Sequence, residues 1–300
     1  MKDQAYNLRK IMDNINSNIN GPPAKKKAKV LTITSGKGGV GKTSIAVNLA
    51  ISIKRLGYEV VVIDVDFGLA NVEIITGTYI KYTISDAIIN YKRIEEIMVE
   101  GPEGIKLISG GFGLHEKIIM NNDNINCFLK EIEKLENLVD FIIIDTGAGV
   151  SKELLNFIMA ADETILITTP DPTSIMDSYT ILKALTINGY KGKLNIIANI
   201  VNSRKEAYDT YNKIFKASKN FLNQELQFLG YLERSDVVNK AVKNQYPFIL
   251  SDPNSPISKK INIMALKFVD PSKHNKRREN KSFARRLVEL LNIRGGFNGR

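Results

Sequence analysis

The sequence predicts an α/β fold with a doubly wound, mostly parallel sheet and helices on both faces. From Val30 onward, short runs rich in β-branched residues alternate with longer patterns of helical period. The runs are continuously apolar, which is typical of strands that a parallel sheet buries on both faces. A glycine-rich segment follows the first run directly and precedes a helical pattern. In such a fold, ligands bind beyond the carboxyl ends of the strands.

The predicted strands are, in chain order, Val30–Thr34, Val60–Ile63, Ile105–Ile108, Phe141–Ile144, Thr164–Thr168, Leu194–Ile200 and Leu226–Leu232. Ahead of them, apolar residues at 3-4-3-4 spacing predict a helix within residues 1–20. Residues 21–29 have the composition of a basic linker. We therefore expect one α/β domain over residues 30–270 and a basic tail over residues 271–300.

The charge is concentrated at the two termini. The chain of 300 residues has a formal net charge of +10, of which residues 1–29 carry +5 and residues 271–300 carry +7. By difference, residues 30–270 carry −2. This distribution argues against a basic globular core that wraps nucleic acid. It indicates terminal segments that meet something anionic.

Cysteine and histidine usage excludes several kinds of site. With one cysteine, the chain can form neither an internal disulfide nor a cysteine-ligated metal cluster of its own. Two histidines disfavour a histidine-based zinc site and a Ser-His-Asp triad. The first residues lack the apolar region of a signal peptide, and no apolar run approaches about 20 residues. We therefore expect a cytoplasmic protein.

A phosphate-binding loop is the strongest motif. Residues 36–43 fit the pattern G-x-x-x-x-G-K-[ST] in its required context of strand, loop and helix. The glycines let backbone N–H groups approach a phosphate, and the helix adds the positive end of its dipole. Lys42 would neutralise phosphate oxygens, and the Thr43 hydroxyl would bind Mg²⁺. The expected nucleotide contacts are Gly36, Lys37, Gly38, Gly39, Val40, Gly41, Lys42, Thr43 and Ser44.

Three aspartates follow two further predicted strands. Asp64 and Asp66 come directly after the second strand, and Asp145 lies at the end of the apolar run FIIIDTGAGV. Carboxylates in such places bind Mg²⁺ through water and orient the water that attacks a phosphoryl group. Taken alone, Asp64 and Asp66 fit turn or helix caps equally well.

The loop sequence KGGVGKT, with its additional Lys37, resembles the deviant Walker A ATPases, the family that includes MinD and ParA. The resemblance covers about residues 30–250 and implies a P-loop NTPase that binds ATP and Mg²⁺ and hydrolyses ATP slowly as a homodimer. It implies that Lys37, with Lys42 and Asp66, has a catalytic role, Lys37 by reaching across the dimer to the partner's ATP. Asp66 would position the attacking water, while Asp64 and Asp145 would hold the hydrated metal.

Other site residues are implied by the same resemblance. Asn71 completes the string DVDFGLAN, which resembles the switch I segment of the family, and Gly147 belongs to a segment resembling switch II. Asn199 matches the position that contacts the base. The segment Glu233–Asp236 departs from the proline and acidic residue usual in the family, so the second contact to the base stays open.

Several segments resemble the FlhG branch of this family, which controls flagellar number. They are DQAYNLR at residues 3–9, DTGAG at 145–149, TTPDPTSIMDSY at 168–179 and GYLERSDVVNKAVKNQYPF at 230–248. The resemblance implies that the N-terminal helix binds the flagellar GTPase FlhF and stimulates it, with Gln4 entering the active site of the GTPase. The other contacts implied are Asp3, Leu8 and Arg9. The alternative is a helix that only docks. Flagellar switch proteins are further candidate partners.

The C-terminal tail has the pattern of a short basic amphipathic helix. Its apolar face includes Phe283, Leu287, Leu290 and Leu291, and a cluster of basic residues precedes it. Such a helix can lie in the interface of an anionic bilayer. We therefore expect a protein that is peripheral at the inner face of the cell membrane. The alternative is a final helix that packs on the domain.

The main alternative is a ParA/MinD-type partitioning or cell-division-site ATPase that acts on DNA or on another membrane partner. A DNA-partitioning ATPase needs a basic surface, and the residues available for one are Arg204, Lys205, Lys213, Lys216 and Lys219. The near-neutral body makes no strong case for DNA. A scaffold without hydrolysis is disfavoured because Lys37, Lys42, Asp66 and Asp145 occur together. A carrier of iron–sulfur clusters with this fold would need cysteines that are absent.

Overall fold

The computed structural model describes residues 27–66, 71–110, 122–269 and 282–295. Its centre is an eight-stranded sheet with the strand order β3-β4-β2-β5-β1-β6-β7-β8. Neighbouring strands pair in parallel, except that β3 runs antiparallel to β4. The strands are β1 Lys29–Ser35, β2 Val60–Val65, β3 Val99–Glu100, β4 Lys106–Ser109, β5 Phe141–Ala148, β6 Glu163–Thr168, β7 Lys193–Val201 and β8 Gln227–Glu233.

Helices connect these strands. Their bounds are α1 Lys42–Arg55, α2 Asn71–Thr76, α3 Ile84–Ile89, α4 Ile94–Ile97, α5 Asn122–Leu138, α6 Lys152–Ala160, α7 Pro172–Ile187, α8 Arg204–Leu222, α9 Asp236–Lys243, α10 Phe248–Ser251, α11 Pro256–Val269 and α12 Phe283–Gly295. Several begin at side-chain caps: Ser151, Asp171 and Ser203 each accept a hydrogen bond from a backbone N–H in the first turn of the helix that follows.

Alternation along the central strands buries both faces of the sheet. Leu31 and Ile33 of β1 pack in a cluster with α1 and α11, whereas Val30 packs on the other side with α5, α6 and α12. A further cluster joins α7 and α8 to β6 and β7. The predicted doubly wound α/β fold with helices on both faces is therefore confirmed. Each predicted strand overlaps an observed one, and the fit is within a few residues at the ends.

Strand β3 is missing from the sequence prediction. It has only two residues, lies at the edge of the sheet and pairs antiparallel to β4. A strand of this length has no apolar run or alternation that could be detected in the sequence.

The C-terminal helix packs on the domain in this structure. We expected Phe283 and Leu287 to face a lipid surface, but they are only 2% and 1% exposed, in a cluster with residues of α5 and α6. Leu290 is partly buried against the same cluster, and the side chain of Leu291 lies outside the described residues. In this structure α12 therefore takes the alternative arrangement and is part of the α/β body, so residues 271–300 are not wholly a separate tail.

The predicted partner contacts Asp3, Gln4, Leu8 and Arg9 lie outside the described residues, as does most of the linker. The described helices include none that is both long and apolar enough to cross a membrane.

Candidate active site

The phosphate-binding loop joins the end of β1 to the start of α1, as the sequence predicts. Gly39 and Gly41 have φ angles of 74° and 91°, in the left-handed region that favours glycine. Gly41 precedes α1 and supplies no side-chain cap, and the first turn of α1 contains no acidic residue. The N-terminus of α1 is thus suited to an anion, which the positive end of its dipole attracts.

Asp145 provides the clearest sign of a cation site. It is fully buried, and neither carboxylate oxygen has a well-formed hydrogen bond from the described residues. Burial, with the neighbouring charge of Asp64, raises the pKa of Asp145 to about 8, although the Thr43 hydroxyl and the Lys42 ammonium act in the opposite direction. A buried carboxylate without donors is costly unless a cation compensates it. The arrangement fits a Mg²⁺ ion held by Thr43, Asp64 and Asp145.

The sheet register brings Asp64 to Asp145, since these residues pair across β2 and β5. Asp64 is 2% exposed, and burial raises its pKa above the usual range even though it accepts hydrogen bonds from the backbone N–H groups of Asp66 and Val72. These bonds fix the turn that carries Asp66. The turn contacts that the sequence left as an alternative are therefore present, and the Asp64 and Asp145 carboxyl groups also lie on paired positions of neighbouring strands.

Asp66 lies closer to solvent and faces the cleft. Its Oδ2 accepts a hydrogen bond of 3.1 Å from the Asn71 amide. A Cβ atom at Gly147 would lie 3.1 Å from Asp66 Oδ1, so the absence of a side chain allows this close approach. Gly149, with a φ of 91°, donates its N–H to Ser35 O at 3.0 Å and closes the segment after β5 against the end of β1.

Lys42 is largely buried near these acidic groups. Burial lowers the pKa of Lys42, while the charges of Asp145, Asp66 and Asp64 raise it in part. The ammonium therefore sits where it can balance both the aspartates and a phosphate group.

Lys37 points elsewhere. Its ammonium lies 2.6 Å from Asp171 Oδ2 and donates to Thr173 Oγ1 at 3.0 Å, and it is roughly half exposed. The hydrogen bond from Lys37 lowers the pKa of Asp171. Lys37 is not among the residues that line the cleft beside its own loop. Asp171 is 134 positions from Lys37 in the chain, and no local sequence pattern links the two residues.

Asn199 contacts the loop itself, since its Nδ2 donates to Val40 O at 2.7 Å. The next residue, Ile200, has a φ of 57°, and the pairing of β7 with β8 is irregular at this point. A left-handed β-branched residue is strained, and such strain is concentrated at functional sites. Ile200 is a candidate site residue that no local sequence pattern predicts.

One cleft of about 540 Å³ brings many of the predicted residues together. Those lining it are Gly38, Gly39, Gly41, Lys42, Thr43, Ser44, Asp66, Asn71 and Asn199. Ile200 and the segment Leu232–Ser235 line it too, with apolar residues of α2, α9, α10 and α11. Gly36, Val40, Gly147, Asp64 and Asp145 are not among the lining residues, although Asp64 and Asp145 adjoin Lys42.

The profile of the ParA family, described as NUBPL iron-transfer P-loop NTPase, matches residues 26–269. The chain belongs to the ParA family and is an ATPase. Within the described residues of this ParA-family ATPase, no group of three or more histidine, cysteine or acidic side chains is arranged to hold a metal ion by itself.

Two curated relatives match most of this ParA-family chain. It is 31% identical to the antiactivator FleN of Pseudomonas aeruginosa over 263 residues, which cover 87% of this chain and 94% of the relative. It is 35% identical to the flagellum site-determining protein YlxH of Helicobacter pylori, with 97% and 100% covered.

Solved structures show the same fold. The septum site-determining protein MinD of Pyrococcus horikoshii, complexed with Mg-ADP, has a TM-score of 0.67 at 20% identity, with 82% of this chain and 98% of that chain covered. A chain of the MinC:MinD complex of Aquifex aeolicus has a TM-score of 0.65 at 24% identity, with 80% and 95% covered.

Proposed function

We propose that this ATPase is a switch that regulates flagellar number and placement, as a monomer without ATP and as an ATP-bound homodimer at the cytoplasmic membrane. The observation that carries the switch is the position of Lys37, which lies outside its own cleft and is paired with Asp171 at the surface. The flagellar role is supported by the names of the two relatives and by the segments at residues 3–9, 145–149, 168–179 and 230–248, which resemble the FlhG branch.

The arrangement suits hydrolysis by positioning and charge neutralisation. The loop N–H groups and Lys42 would bind the phosphates, while Thr43, Asp64 and Asp145 would hold Mg²⁺, which neutralises charge on the phosphate oxygens. Asp66 would accept a hydrogen bond from a water molecule and aim it at the phosphorus. Asn71, by donating to Asp66, fixes the direction of that carboxylate.

Lys37 would act in the other subunit. The Lys37–Asp171 ion pair is exposed, and solvent screening makes such a pair weak. A phosphate group presented by a second copy would therefore displace Asp171 at little cost, and this exchange would make dimerisation depend on ATP.

Size-exclusion chromatography of an Asp66→Ala variant tests the switch. With ATP and Mg²⁺ we expect a stable dimer, because hydrolysis is blocked while the binding groups remain. With ADP we expect a monomer. A Lys37→Ala, Asp66→Ala double variant serves as the control and should stay monomeric with ATP. A monomer in every condition contradicts the proposed switch.

Membrane binding would require α12 to leave its groove. In the docked state, Glu136 accepts hydrogen bonds from the Phe283 and Ala284 N–H groups, and Arg286 pairs with Asp162 at 2.7 Å. Sedimentation with anionic vesicles tests this proposal by measuring the fraction of protein bound. We expect a larger bound fraction of Asp66→Ala with ATP than with ADP. Adding Leu287→Glu to the Asp66→Ala chain should reduce binding with ATP. Equal sedimentation of the chains with and without Leu287→Glu would overturn the membrane role.

The proposed contact with FlhF is tested by GTP turnover. We expect full-length chain to stimulate the GTPase and Gln4→Ala to lose that stimulation, because a side-chain amide can orient the attacking water. Asn7→Ala is a matched amide control on the same segment. If Gln4→Ala stimulates as well as the unchanged chain, the role of Gln4 is wrong.

A partitioning ATPase that binds DNA is the second candidate. The basic residues proposed for it are all exposed on α8, namely Arg204, Lys205, Lys213, Lys216 and Lys219. A gel shift with ATP and salt titration tests this function: charge reversal at Lys213 and Lys216 should abolish binding, and absence of any shift at low salt eliminates it.

A further inference from the structure

We infer that the segment Lys27–Val30, here called the root segment, is energetically coupled to the docked helix α12, so that displacing either one loosens the other. The root segment connects the N-terminal region to β1. The consequence for regulation rests on the proposed function, because the proposed GTPase contact precedes the root segment and the proposed membrane contact lies in α12. A partner that pulls on the N-terminal region would thereby promote release of α12.

Glu136 of α5 contacts both segments at once. Its backbone carbonyl accepts a hydrogen bond from Ala28 N at 2.9 Å. Its side-chain oxygens accept bonds from Phe283 N at 2.8 Å and from Ala284 N at 3.3 Å, and so cap the first turn of α12. A shift of the root segment that moves this end of α5 would therefore move the cap.

Asp162, between α6 and β6, is a second shared anchor. Its Oδ2 accepts a hydrogen bond from Val30 N at 2.9 Å, and its Oδ1 accepts one from Arg286 at 2.7 Å. Arg286 also donates to Ala160 O at 2.6 Å. One carboxylate therefore holds the root segment with one oxygen and α12 with the other.

Apolar packing joins the same two segments. Ala28 is 6% exposed and belongs to one buried cluster with Phe283, Ala284 and Leu287. The side chain of Ala28 and the apolar face of α12 are therefore parts of the same packed cluster. Contacts that share partners in this way give interaction energies rather than independent contributions.

Charge acts in the same direction as the packing. Burial raises the pKa of Glu136, while the hydrogen bonds from α12 and the charges of Lys27 and Arg286 oppose the shift. Lys27 therefore helps to keep Glu136 ionised, and an ionised carboxylate is the stronger cap for backbone N–H groups. The root segment supports α12 through charge as well as through hydrogen bonds.

Hydrogen exchange of the full-length protein, without nucleotide or membrane, tests the coupling in both directions. Lys27→Glu should make the amides of residues 283–290 exchange at least about five-fold faster, the lower range of a typical coupling. Arg286→Gln should accelerate exchange at Ala28 and Val30 by a similar factor, because linkage is reciprocal. The amides of Leu31–Thr34, inside β1, report on global stability and should not change.

Lys183→Glu is the charge-matched control, since Lys183 is exposed on α7; it should change neither segment. If each variant accelerates only its own segment, the coupling is overturned. If the coupling is found but vesicles do not bind, the membrane proposal fails and this inference stands. If vesicles bind ATP-dependently without reciprocal exchange, the inference fails and the membrane proposal stands.

Discussion

Asp145, at the carboxyl end of β5, and Glu136, just ahead of the amino end of β5, are both buried carboxylates, but their surroundings differ. Asp145 has no well-formed hydrogen bond from the described residues, whereas Glu136 accepts two from backbone N–H groups of α12. Glu163, at the amino end of β6, is likewise paired with Lys29 at 2.9 Å. A buried carboxylate with hydrogen-bond or ion-pair partners anchors the fold, whereas a buried carboxylate without such partners marks a ligand site.

The largest expected effect comes from Asp145→Asn. We expect ATP turnover to fall by at least about 100-fold, because transition-state charge stabilisation through the metal is lost. We expect the metal-free protein to become more stable at neutral pH, since the Asp145 carboxyl group, with its raised pKa, no longer has to take up a proton on folding. Turnover with Mg²⁺ and thermal unfolding without it check both parts, and undiminished turnover would remove Asp145 from the site.

Glu136→Ala should lower the stability of the protein and leave ATP turnover nearly unchanged, the reverse of Asp145→Asn. Its loss leaves the Phe283 and Ala284 N–H groups unpaired, and we expect unfolding free energy to fall by about 1–3 kcal/mol. The rate of ATP turnover should change little. Chemical denaturation measures the stability, and Glu133→Ala, at an exposed position of the same helix, is the matched control. Equal effects of the two variants would show that Glu136 is no anchor.

The pH dependence of stability should have opposite signs for the two kinds of carboxylate. The folded pKa of Asp145 is raised to about 8, so its contribution to stability without metal declines as the pH rises from about 4 to 8. The pKa of Glu163 is lowered, because Lys29 and Lys193 outweigh its burial, so its contribution is present at neutral pH and is lost on acidification. Unfolding of Asp145→Asn between pH 5 and 8 should lack the decline, and an unchanged slope contradicts this origin.

The smallest expected effect is that of Asp171→Asn, which weakens an exposed ion pair. We expect little change in stability, because solvent screens this pair, and an ATP concentration for half-dimerisation that falls by about two-fold, since Lys37 is released. Glu59→Gln breaks the exposed pair with Lys54 and is the control. Dimerisation that becomes weaker in Asp171→Asn would show that Asp171 supports the assembled state.

Local patterns were sufficient to predict the seven longer strands and the phosphate-binding loop, because continuous apolar runs and closely spaced glycines are visible over a few residues. The positions of Asp64 and Asp145 follow from parallel strands that end at the same edge. The Lys37–Asp171 and Asn199–Val40 contacts join residues more than 130 positions apart, and no local pattern encodes them. The left-handed backbone conformation of Ile200 could not be predicted from the sequence either, because isoleucine normally disfavours this conformation.

The C-terminal helix shows a different limit. Its apolar face was detected correctly, but an apolar stripe fits a bilayer interface and a protein groove equally well. Arg286 and the N–H groups capped by Glu136 decide the docked arrangement here, and these contacts depend on residues over 120 positions away.

The most direct measurement of the central claim mixes two inactive variants, Lys37→Ala and Asp66→Ala. If Lys37 acts on the nucleotide of the other subunit, a mixed dimer contains one site with both residues in place. An equimolar mixture should then recover turnover that neither variant has alone. The recovered rate should approach about a quarter of the unchanged turnover where the chains pair at random, because half of the dimers are then mixed and each mixed dimer has one complete site. A mixture as inactive as its components would contradict the account.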